Sequence, residues 1–152
     1  MTLQSGAIDF RFERLKLDGD ALKTDWDTLL RLVAEFSIVI PGSTVPLYQE
    51  DEFCVVEFAM LMTQWLADLH RHAIDFSYSS MESDETGLIT LSKEHHGWRV
   101  AALHQNYVEG RLFSLEEIAD AVSAFVTRLR AQVRERFDHD IAHLVSGGRI
   151  AL

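Results

Sequence analysis

The sequence predicts an α+β domain: an antiparallel sheet of about six strands with two long helices packed on one face, in the order βββαβββα. Three observations carry this. Residues 52–69, EFCVVEFAMLMTQWLADL, form an apolar run at helical spacing. Residues 114–133 form a second, amphipathic stripe that opens on a capping box. Elsewhere short apolar stretches alternate with polar residues and are separated by connections of hairpin length.

Residues 7–17, AIDFRFERLKL, alternate apolar and polar residues, with a parity slip between Phe12 and Leu15 that reads as a bulge. Asp18-Gly19-Asp20 is a turn. Thr24–Leu30 is either a short helical turn capped by Thr24 or Asp25 or an irregular lead-in, with Trp26 as a packing residue. Leu32–Ile40 is a second strand ended by Pro41-Gly42, and Thr44–Gln49 a short third one. The acids Glu50, Asp51 and Glu52 then stand where they complement the positive end of the central helix.

In that helix Val55, Phe58, Met62, Trp65 and Leu69 make one stripe, while Phe53, Cys54, Val56, Met60 and Leu61 cover much of the remaining circumference. A helix apolar on so many sides requires cover from more than one direction. His70-Arg71-His72 suits its C-terminal end. Asp75–Ser80 is a fourth strand, followed by the polar loop MESDET and Gly87. Leu88–Ser92 and Trp98–Tyr107 form a hairpin about His95-His96-Gly97, with Gly97 where positive φ is needed. Ser114 and Glu117 make the capping box of the last helix, with Leu115, Ile118, Val122, Phe125, Val126, Leu129 and Val133 as its stripe. The segment DHDIAHLV after Phe137 is open to reading as its continuation. Residues 1–145 read as one domain and 146–152 as a flexible tail.

Composition bounds the function. The chain has 152 residues, 47% of them apolar, enough for a packed core. Its single cysteine, Cys54, excludes an internal disulfide and reads as a small buried hydrophobe. No basic-then-apolar leader and no apolar run of membrane-spanning length occurs, so a soluble, cytoplasmic protein is expected. The net charge of −10 argues against nucleic acid as a partner. Residues 44–87 hold nine acids and one base, Arg71, so most of the excess lies in one central third. A solvated surface explains this blandly; a surface that attracts a basic partner explains it more sharply.

No phosphate-binding glycine loop, nucleophile elbow or cofactor motif is present, and no enzyme is expected. His139 and His143, four apart, offer a metal pair without a third ligand, so a solvated tail is the reading and no metal is assigned. Asp75, Glu82, Asp84 and Glu85 are the one carboxylate cluster suited to acid–base work, read here as an acidic loop between strands. Phe76, Tyr78, Trp98 and Tyr107 are expected in or near the core; on an open sheet face they would form an aromatic patch beside acids.

Asp75-Phe76-Ser77-Tyr78-Ser79-Ser80-Met81-Glu82, Gly87 and Gly97-Trp98-Arg99-Val100 resemble a pattern in small uncharacterised bacterial proteins. Glu57-Phe58-Ala59, Trp65-Leu66 and the SLEEI of residues 114–118 fit the same pattern, over about residues 45–130. Such proteins are similar in size and acidity to immunity proteins of polymorphic toxin systems. The resemblance implies a cytoplasmic inhibitor that binds a cognate toxin with a basic surface and needs no cofactor; it carries over no catalytic residue. The expected contacts are Glu50, Asp51, Glu82, Asp84 and Glu85, with Tyr78 as an anchor. A scaffold or homodimer built on the apolar stripes, and a small enzyme or ligand-binding protein, are the alternatives.

Overall fold

The structure, a computed structural model, describes residues 7–69, 74–80 and 85–146. Nine elements follow in order: β1 (Asp9–Leu17), α1 (Asp25–Arg31), β2 (Leu32–Val39), β3 (Tyr48–Phe53), α2 (Val55–Asp68), β4 (Phe76–Tyr78), β5 (Ile89–Glu94), β6 (Gly97–Ala102) and α3 (Leu115–Phe137). The fold is α+β with antiparallel pairing throughout. Among the described residues the expected single sheet is instead two three-stranded sheets, β1-β2-β3 and β4-β5-β6, and the helices number three where two were expected.

Helix α2 explains the division. Its first half, Val55–Met60, is buried on every side, and the helix touches β2 of one sheet and β4 of the other as well as α1 and α3. One sheet covers one side of a helix; a circumference this apolar takes two. Phe58 is the hub, with its ring within 5.1–6.1 Å of Phe10, Phe36 and Phe53 of the first sheet, Phe76 and Tyr78 of the second, and Phe125 of α3. Across the gap between the sheets Phe53 and Tyr78 meet at 5.3 Å, side chain to side chain, without a ladder.

The local signals set several elements in place. The parity slip of β1 is a register shift between Glu13 and Lys16, with Arg14 at φ +55° and paired to Glu35. It returns Leu15 to the face of Phe10 and Phe12, where it is buried. Thr24 and Asp27 form a capping box on α1, so the lead-in is a true helix. Trp26 on that helix is 48% exposed, contrary to its expected packing role. Gly97 has φ +153°, and a Cβ there would stand 2.8 Å from the carbonyl oxygen of Phe113, whose backbone pairs with Trp98 along the edge of β6.

Several boundaries differ from expectation, and the sixth strand, expected over Trp98–Tyr107, ends at Ala102. The third strand is Tyr48–Phe53, not Thr44–Gln49, so Glu50, Asp51 and Glu52 are strand residues and cap no helix. Helix α2 begins at Val55 behind Cys54, which makes no side-chain capping bond. Helix α3 has the expected Ser114–Glu117 box but stops at Asp138, in the left-handed conformation at φ +50°. The chain beyond it docks on α1: His139 meets the buried Thr28 hydroxyl at 3.2 Å, His143 meets Asp25 at 2.9 Å, and Ile141, Leu144 and Val145 join the core. These residues are therefore no solvated tail. The tail expected over 146–152 lies, beyond Ser146, outside the described residues.

Candidate functional site

The acids of β3, a strand at the end of its sheet, face water. Gln49, Glu50, Asp51 and Glu52 are all exposed, whereas Tyr48 and Phe53 at the strand ends are buried. In a strand successive side chains alternate between faces, so four exposed residues in a row mean that both faces are wet here. The β2–β3 register shift lies at the same place, between Ala34 and Phe36.

Beside β3 lies a cleft of about 220 Å³ between the two sheets, lined by Glu50, Glu52, Phe53, Cys54, Tyr78, Ser80, Glu85 and Leu88. No lysine or arginine is among these residues. Of the six residues expected to meet a partner, the structure brings Glu50, Tyr78 and Glu85 together here, and Asp51 is the neighbour of Glu50 on the strand. Glu82 and Asp84 lie outside the described residues.

The interior of the cleft is polar chemistry held by burial. The Tyr78 hydroxyl donates to Glu57 Oε1 at 2.7 Å, with Tyr78 fully buried and Glu57 at 2% exposure. Burial, followed by the Glu57 carboxylate, pushes the Tyr78 phenol well above its ordinary value. Tyr48 is raised in the same way, by burial first and then by Glu50 and Glu85, and its hydroxyl donates to Glu50 Oε1 at 3.4 Å. Tyr78 therefore floors the cleft and does not project as an anchor. At the rim Glu85 meets His104 at 2.7 Å and Glu52 meets Lys16 at 3.1 Å.

The remaining candidates are dispersed. Asp75 accepts from the backbone N–H of Lys93 at 2.9 Å, and His95 and His96 form the β5–β6 turn. His139 and His143 point to different partners on α1, and among the described residues no group of three or more His, Cys, Asp or Glu is arranged to hold a metal ion. Among them, too, no helix is long and apolar enough to cross a membrane. Phe76, Tyr78 and Trp98 are buried and Tyr107 is half-buried outside the strands, so these four form no open aromatic sheet face. A larger concavity, about 540 Å³, lies beside the first sheet and includes Arg11, Glu35, Ser37, Thr44, Gln49 and Arg128. Its arginines are engaged, Arg11 with Asp9 at 2.7 Å and Arg128 with the Phe10 carbonyl at 2.6 Å.

Two features of the cleft escaped sequence reasoning. Glu52 reads as a helix cap until β3 is placed. Glu57 shows in the sequence only as an acid inside an apolar run, and that interruption is the one signal of a buried polar contact.

These observations define an α+β domain with an acidic cleft between two sheets. The chain belongs to the DUF7878 family, a domain of unknown function, whose family model matches residues 8–135. No curated protein and no solved structure matches it.

Proposed function

We propose that this chain is an immunity-type inhibitor, acting in the cytoplasm, that binds a cognate toxin through a basic surface of the toxin. The observation that carries the reading is the convergence of Glu50 and Glu52, from β3, and Glu85, from the connection between β4 and β5, on one cleft with no lysine or arginine among the described residues of its lining. Asp51 extends the same field along β3. Like charges gathered at a surface raise the local potential and speed the encounter with a partner of opposite sign. Inhibition by occlusion needs a surface of this kind and no reactive group. The resemblance of residues 45–130 to small acidic bacterial proteins points the same way.

The test is capture followed by rescue. The tagged chain is used to recover a partner from lysate at low and moderate salt, and the partner is then expressed alone and together with this chain. The reading expects a basic polypeptide that arrests growth alone and is neutralised by co-expression. A partner that is harmless when expressed alone contradicts the inhibitor reading and favours a scaffold.

A further inference from the structure

How a partner is held rests on the partner-binding reading and is written in the strand edges. Of the four strands that end the two sheets, two have part of their backbone capped by another segment. On β1 the guanidinium groups of α3 do this: Arg128 donates to the Phe10 carbonyl at 2.6 Å and Arg136 donates to the Leu15 carbonyl. On β6 the Phe113 backbone exchanges hydrogen bonds with Trp98 at 2.8 and 2.9 Å. The third end strand, β4, is only three residues long. The fourth, β3, is six residues long and pairs with β2 on one side. Among the described residues no hydrogen bond from another element reaches its other backbone side. The open stretch has definite ends: Asn106 N–H closes the Leu47 carbonyl at 2.7 Å, and Cys54 turns the chain into α2.

An open edge is a template for another strand. Which strand is decided by charge. A second copy pairing β3 against β3 in antiparallel register would set Glu50-Asp51-Glu52 opposite the same acids, and like charges directly opposite are unfavourable. A segment carrying lysine or arginine places unlike charges there instead. Lys16 already answers Glu52 at 3.1 Å from within the chain, so Glu50 and Asp51 are left to make the selection. We propose that β3 is the pairing edge for an extended, basic segment of a protein partner, which adds to the first sheet as a fourth strand.

Two synthetic peptides of equal charge separate backbone pairing from charge alone. One alternates lysine and valine and forms a strand; the other alternates lysine and proline, whose missing N–H groups break the ladder. Each is titrated at low salt into the full isotope-labelled chain and followed by amide resonances and amide hydrogen exchange. The proposal expects the lysine–valine peptide to bind at least about tenfold more tightly than the lysine–proline one. It also expects the largest shifts and new exchange protection within residues 48–53. Equal binding of both peptides overturns edge pairing while leaving an acidic partner surface standing. Shifts centred elsewhere, or no binding by either peptide, overturn the proposal as well. The inhibitor reading fails separately, by the capture and rescue experiment.

Discussion

Tyr78 and Glu57 tie the second sheet to the central helix through one hydrogen bond, buried at both ends and 2.7 Å long. Burial of Tyr78, with the Glu57 carboxyl beside it, gives a pH dependence with a definite sign. The folded chain holds the Tyr78 proton to higher pH than an unfolded chain does, and Tyr48 behaves alike. Their contribution to stability is therefore complete below the unfolded tyrosine value of about 10 and is lost as pH rises beyond it. Tyr78→Phe removes a bond to a buried carboxyl and is expected to cost about 1.5–3 kcal/mol in urea unfolding at neutral pH. The same variant should show a shallower alkaline loss than the parent chain. An unchanged midpoint would mean that this bond contributes nothing. The sequence marks Tyr78 as a core or anchor residue and Glu57 as an oddity, but no spacing rule joins positions on different elements, so their pairing was not legible.

Elements whose signals are local were legible. The bulge of β1, the capping box at Ser114 and the hairpin glycine each depend on a few adjacent residues, and each is found where the pattern puts it. The shift of β3 was hidden because YQEDEF shows no apolar alternation; its pairing with β2 places it, against its own weak strand propensity. The end of α3 was hidden because Asp138 resembles any polar helical residue until its left-handed conformation is seen. Gly97 gives the prediction at this scale. Gly97→Ala would drive a Cβ to 2.8 Å from the Phe113 carbonyl and 3.2 Å from the Leu112 Cβ, at positive φ. The expected cost is about 1–3 kcal/mol, with a shift in Trp98 fluorescence as the Phe113 bridge opens. A variant with parental stability and emission would show that the close approach is not required.

At the scale of the whole molecule the buried circumference of α2 has two consequences. It splits what the strand count suggested as one sheet, and it leaves an acidic cleft where the two halves fail to join. The sequence showed both causes, the apolar run and the acidic third. It did not show their juxtaposition, which depends on Glu85 lying across from β3, a relation set by tertiary packing alone. The partner-binding account makes the charge of this cleft the source of fast association. Its most direct test is the association rate of the captured partner, measured by stopped flow over a range of salt for the parent chain and for the Glu50→Lys, Asp51→Lys, Glu85→Lys triple variant, with folding of the variant checked by circular dichroism. The account predicts a rate lower by about tenfold or more at low salt and a flattened salt dependence. A folded variant that associates as fast as the parent, with the same salt slope, would contradict it.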